Sequence, residues 1–358
     1  MKFNNLPYLI SKEILSHLPV ADLLIFSQCS KKHMSYIQYL LKHELPKIGR
    51  IVFFSSFNMN FWKIRGCSHT FIKMRPSWEV GSMAVCKLRL FGLELSCCPA
   101  TKHNPMIVFG EEDQAEYLLL CFYNSIYNLF GPLVEYQLVA HEGGSYGATL
   151  SYHIPILQNI TKIFVTSLYT KEMGKELRLI LLLSPNVDYI YLDDMDSCDF
   201  LDIPEISQTP KLAIGFLNGN FGDLLRNFVG KRLRVESVDE DQLDSTTVIE
   251  FLLAWKSNIA YGNMELLIVQ CDSESLNVDE IMEKCGIKQL DSDRDPPNYE
   301  YQESDFCKNR EKSFKSHHYI VRESDGRVAS LKITPRRFEF GVWNWTEEQF
   351  LEEHLKRK

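Results

Sequence analysis

Two prolines and a capping serine divide residues 1–47 into three helices, each too short to be stable alone. Leu6-Pro7 opens the first, whose apolar residues Ile10, Ile14, Leu15 and Leu18 recur at helical spacing, and Pro19 stops it. Asp22 stands where an N-cap belongs, ahead of Leu23, Leu24 and Phe26. Ser30 is placed to cap a third helix bearing Met34, Ile37, Leu40 and Leu41. So short a segment cannot bury this many apolar side chains by itself, so a partner or the following domain must cover them.

From Arg50 the texture changes. Ile51 to Phe54, Phe71 to Met74 and Val85 to Leu95 are β-rich runs separated by Ser, Asn and Gly clusters. Glu111 to Phe130 reads as an amphipathic helix with Ala115, Leu118, Leu119, Phe122, Ile126 and Leu129 on one face, and Leu133 to Val139 as a strand. Strand patterns at Ile163–Val165, Ile190–Leu192, Leu212–Phe216, Leu233–Val235 and Leu266–Val269 then alternate with helical patterns at Glu172–Leu183, Asp223–Val229 and Thr246–Trp255. The strands recur every ~20–35 residues, the range of leucine-rich and similar repeats, and Val187 to Leu192 fits the L-x-x-L-x-L outline, with Met195 where its asparagine would stand. The polar stretch 291–316, with Pro296-Pro297, predicts a flexible insert. Tyr319–Arg322 and Val328–Ile333 flank Asp325-Gly326, a hairpin signal, Phe338–Trp343 adds a strand, and Thr346 caps a closing helix. The expected fold is α+β or α/β. A helical module (1–47) precedes a mixed domain (50–343) with an irregular leucine-rich-repeat-like strand–helix region, and a C-terminal helix (346–358) ends the chain.

The net charge of −8 argues against a general nucleic-acid binder, although the first fifty residues are basic on balance. The most apolar run, Leu177–Leu183, contains Arg178 and is too short to span a bilayer, and Met1–Leu15 has no apolar core of a secretory signal, so the chain is expected to stay inside the cell, in cytoplasm or nucleus. Ten cysteines include no Cys-x-x-Cys pair and read as small buried hydrophobes. Candidate chemistry is thin. His141-Glu142 lacks a second histidine at zinc-protease spacing, and the Gly143–Gly147 run lacks a phosphate-loop ending. Asp193-Asp194-Met195-Asp196 lacks the glycine and closing glutamate of a calcium loop, and His317-His318 lacks ligand partners. No catalytic residue, metal or cofactor is expected.

The N-terminal pattern Leu6-Pro7, Ile14-Leu15, Leu18-Pro19, Asp22-Leu23-Leu24 and Ser30-Lys31 resembles the F-box. Leu9, Ser11 and His33 replace an acidic residue, a leucine and a tryptophan common in that family. The resemblance implies a non-catalytic adaptor of a Skp–cullin–F-box ubiquitin ligase. It would dock a Skp-type adaptor through Leu6, Pro7, Ile10, Ile14, Leu15, Leu18, Pro19, Leu23, Leu24, Ser30 and Lys31, meet the cullin indirectly, and recruit a protein substrate. The alternative is an F-box scaffold that binds Skp without a cullin. Residues of about 185–343 resemble the type 2 F-box-associated domain of nematode F-box proteins. That likeness is carried by Lys231–Val235, Val248–Trp255, Met264–Val269, Ile320–Arg322, Asp325–Arg327 and Phe338–Trp343. Strand alternation, with Val187, Ile190 and Leu192 inward, would turn Tyr189, Tyr191 and Asp193 outward, and likewise Lys162 with Phe164 and Arg232 with Arg234 and Glu236. Those eight residues are the expected substrate-binding face, since aromatics and arginine form binding hot spots.

Overall fold

The computed structural model describes residues 6–43, 45, 49–56, 59–64, 70–76, 86–99, 106–110, 114–141, 156–166, 171–195, 203–239, 242–301 and 312–356. The chain divides into two compact units, residues 1–166 with 175–187, and residues 167–174 with 188–358.

In the first unit, α1 (Tyr8–His17), α2 (Val20–Gln28) and α3 (Lys31–Leu40) follow the proline punctuation. Pro7 is the N-cap of α1, and Leu18, extended because it precedes Pro19, ends that helix. Pro19, not Asp22, is the N-cap of α2; Asp22 falls in the first turn, where a carboxylate favours the helix dipole. The Ser30 hydroxyl accepts the His33 amide at 3.1 Å, capping α3 as expected. There follow β1 (Arg50–Ser56), β2 (Met59–Ile64), β3 (Thr70–Pro76), β4 (Cys86–Leu90), β5 (Leu93–Cys98), β6 (Met106–Gly110), α4 (Ala115–Phe130), β7 (Glu135–His141), β8 (Lys162–Thr166) and α5 (Lys171–Leu183), most of which belongs to this unit. The strand order is β8-β7-β1-β2-β3-β6-β5-β4, with β8, β7 and β1 parallel. Leu118, Leu119, Phe122, Ile126 and Leu129 form the buried face of α4. Helices α2 and α3 pack on α4, and the Gln38 amide donates to the Asn128 carbonyl at 2.6 Å. Part of the N-terminal apolar surplus is therefore covered from within the chain.

The second unit runs through β9 (Tyr189–Met195), α6 (Pro204–Ser207), β10 (Lys211–Leu217), α7 (Phe221–Asn227), β11 (Arg232–Val238), α8 (Ser245–Lys256), β12 (Leu266–Cys271) and α9 (Val278–Cys285). It continues with β13 (Lys288–Gln289), β14 (Asn298–Glu300), β15 (Ser313–Lys315), β16 (His318–Val321), β17 (Arg327–Thr334), β18 (Arg337–Thr346) and α10 (Glu347–Leu355). Strands β9 to β12 are parallel neighbours in sequence order, the arrangement that strand–helix alternation dictates. Beyond β12 the sheet turns antiparallel in the order β18-β17-β16-β13. Side chains cap the helices: Asn220 accepts the Asp223 amide, Asp244 that of Thr247, and Asn277 that of Glu280, while Thr346 and Gln349 form a capping box.

In the stretch 291–316, expected as a flexible insert, 302–311 lie outside the described residues and the described residues on either side are ordered. Strands β14 and β15 pair within it. Tyr299, Tyr301 and Phe314 form a buried cluster with Leu266 and Ile268 of β12. The Tyr299 ring lies where a Cβ on Gly341 would come within 2.5 Å, and its hydroxyl donates to the Glu265 carbonyl at 3.1 Å. Burial pushes that hydroxyl up to about 12. Composition concealed this pairing because, among the described residues, three aromatics spaced among charges supply its apolar grip. Tyr299→Ala should therefore cost about 3–5 kcal/mol and raise amide exchange across 297–301 and 312–316. Unchanged exchange there, by hydrogen–deuterium mass spectrometry, would show that the hairpin is held by something else.

Candidate protein-docking surfaces

Helix α1 divides its side chains sharply. Ser11 and Leu15 are buried, whereas Tyr8, Leu9, Ile10 and Ile14 are exposed, Leu9 to 75%. Tyr39 of α3, 68% exposed, meets Tyr8 edge to face with ring centroids 6.1 Å apart. An exposed run of large apolar side chains on a short helix is unusual for a surface that faces only water. Hydrogen bonds and capping fix the scaffold beneath it. His33 packs against Phe26 with ring centroids 4.7 Å apart and planes tilted by 45°, while its ring meets the Ser30 hydroxyl at 2.8 Å.

The structure separates the sequence-derived docking residues into two sets. Pro7, Ile10, Ile14, Ser30 and Lys31 are exposed, and Leu6, Leu18 and Pro19 are half-buried. Leu15, Leu23 and Leu24 are covered by their own unit, so their burial serves folding. Tyr8, Leu9 and Tyr39 are exposed beside the first set, which helical periodicity could not show because it marks apolar residues without saying which face the following domain covers.

The strand face needs a larger correction. Phe164, at 3% exposed, is buried together with Ile163 and Val165, and Tyr189 and Tyr191, at 8% and 9%, belong to the core. Parallel strands joined by crossovers are buried on both faces, so alternation does not turn every second residue to solvent. Asp193 remains exposed and accepts the Tyr191 hydroxyl at 2.5 Å, both leaning over Gly215 of β10. Arg232 pairs with Glu265 at 3.1 Å, Arg234 with Glu236 at 3.4 Å, and Lys162 with Glu135 at 3.1 Å. The register sets Tyr189 level with Lys211 and Arg232, and Tyr191 level with Ala213 and Arg234. Within the second unit, the candidates on β9 and β11 therefore form one partly covered, charge-paired band. Among the described residues no group of three or more His, Cys, Asp or Glu is placed to hold a metal ion, and no helix is long and apolar enough to cross a membrane. The Gly143–Gly147 run and Asp196 lie outside the described residues.

Comparison with known families decides what the helical module is: residues 3–41 match the F-box domain. The N-terminal module is an F-box. No curated protein and no solved structure matches the chain. F-box domains bind Skp-type adaptors, and an F-box implies a component of Skp–cullin–F-box ubiquitin ligases, whose F-box subunits are generally non-catalytic. The exposed set on α1 and at the start of α3 lies within the F-box match, as does the buried set that packs the module onto its own unit.

Proposed function

We propose that this chain is the substrate-recruiting adaptor of a Skp–cullin–F-box ubiquitin ligase, working in cytoplasm or nucleus. The observation that carries the reading is the apolar outer face of α1 within a segment that matches the F-box. Ile10, Ile14 and Pro7, with Ser30 and Lys31 beside them, would meet the Skp-type adaptor, and the cullin would be reached through it. The region from Arg50 onward would hold the target. Its strand–helix succession β9 to β12 would serve as an irregular repeat-like array, and the stretches that resemble F-box-associated domains fall largely on β11, α8, β12 and β16 to β18. The partly exposed charges of that second unit, Asp193, Arg232, Arg234 and Glu236, are the surface best suited to a protein substrate, now without the buried Tyr189, Tyr191 and Phe164. In this role the chain carries no chemistry; rate arises from holding a substrate lysine beside the ubiquitin-loaded enzyme.

Affinity purification from cells, comparing the full chain with one lacking residues 3–41, tests the role. Co-purification of Skp and cullin with the full chain only is the expected result. Skp without cullin would favour the scaffold reading, and neither partner would overturn the adaptor role.

A further inference from the structure

Two cysteines stand opposite each other on the hairpin at the edge of the first unit's sheet. Strand β4 ends the strand order, and β4 and β5 pair with Leu90 opposite Leu93, Leu88 opposite Leu95 and Cys86 opposite Cys97. Phe91 and Gly92, both at positive φ (55° and 84°), form the two-residue turn that fixes this register. Directly opposed residues share one face of the ladder, with Cα atoms ~5.5 Å apart in a hydrogen-bonded pair, inside the span a disulfide bridges. The Cys86 sulfur already sits 3.4 Å from the Cys97 carbonyl oxygen. Both thiols are free, Cys86 exposed at the strand's start and Cys97 buried.

We infer that Cys86 and Cys97 form a reversible dithiol–disulfide couple that responds to hydroperoxides. The exposed Cys86 thiolate attacks the peroxide O–O bond and becomes a sulfenic acid, with the other oxygen leaving, after protonation, as an alcohol, or as water from hydrogen peroxide. The Cys97 sulfur then attacks the Cys86 sulfur, the S–S bond forms, and the sulfenic hydroxyl leaves as water with the Cys97 proton. In sum, two thiols and one hydroperoxide give one disulfide, one water and one alcohol, or two waters from hydrogen peroxide. Burial raises the Cys97 thiol to about 11, with the thiols of Cys86 and Cys98 adding to the effect, which leaves the exposed Cys86 to meet peroxide first. Side chains opposed on an antiparallel ladder keep Cβ atoms ~4.5–5.5 Å apart, wider than the ~3.8 Å disulfide mean. The bond would thus be strained and readily reduced, the property of a regulatory disulfide rather than a structural one. It would tie shut a hairpin whose turn residue Phe91 packs edge to face on Phe122 at 5.0 Å and accepts the Tyr117 hydroxyl at 3.2 Å. Both partners lie on α4, the helix that supports the F-box.

The test exposes the full chain to hydrogen peroxide, blocks remaining thiols with iodoacetamide, and maps peptides by mass spectrometry without reductant. The expected product is a Cys86–Cys97 cross-linked peptide that dithiothreitol dissolves, that is absent from Cys86→Ser and that persists in Cys98→Ser. Since Cys86 is exposed, its serine variant should fold normally, and circular dichroism checks this. Two results would overturn the couple: Cys97 still alkylated while Cys86 is over-oxidised or unmodified, or a cross-link that joins Cys86 to another cysteine.

Discussion

Replacing Trp255 by alanine should lower the stability of the second unit by about 3–5 kcal/mol, and urea unfolding followed by far-UV circular dichroism should show an early transition. Trp255 is fully buried on α8, with its ring edge to face on Phe340 of β18 at 5.1 Å. The Arg322 guanidinium lies 5.2 Å from its centroid. That guanidinium is itself nearly buried, grips both Asp325 carboxylate oxygens at 2.9 and 2.7 Å, and donates to the Gly262 carbonyl at 2.9 Å. Truncation would therefore open a cavity between helix and sheet and remove the aromatic face from a buried cation. Trp255→Phe, which keeps a ring, should lose less. The Arg322 hydrogen bonds hold the Asp325 carboxyl below its ordinary value. Its contribution to stability is present above the unfolded carboxylate pKa and fades as pH falls through the lowered folded one, a fading that Asp325→Asn should abolish. A Trp255→Ala transition within about 1 kcal/mol of wild type would mean that this junction does not hold the unit together.

Much of the second unit was legible from periodicity and caps. Thr346 and Asp325-Gly326 mark real boundaries, and the strand patterns at 190–192, 212–216, 233–235 and 266–269 lie within β9 to β12. The neighbours of those strands were not legible. Runs such as Leu212-Ala213-Ile214 and Leu266 to Val269 are buried without interruption, which signals cover on both faces. Alternation alone turned Tyr189 and Tyr191 the wrong way. The pairing of β14 with β15 escaped notice because composition averages over a window, whereas Tyr299 acts through one ring set on Gly341. In the F-box, the sequence correctly demanded cover for its apolar surplus. Only the packing of α2 and α3 on α4 showed that Leu23 and Leu24 are satisfied within the chain while Ile10 and Ile14 are not.

That division yields the second large effect and the most direct test of the account. Ile10 and Ile14, four residues apart, share the outer face of α1, so carboxylates placed there should leave the fold intact and set charge where an apolar partner surface must seat. Binding of a purified Skp-type adaptor to the full chain, measured by titration calorimetry, should weaken at least about 100-fold in the Ile10→Asp/Ile14→Asp variant, or about 2.8 kcal/mol, with an unchanged circular dichroism spectrum. Undiminished affinity in a folded double variant would contradict the claim that this face of the F-box is where the ligase scaffold is engaged.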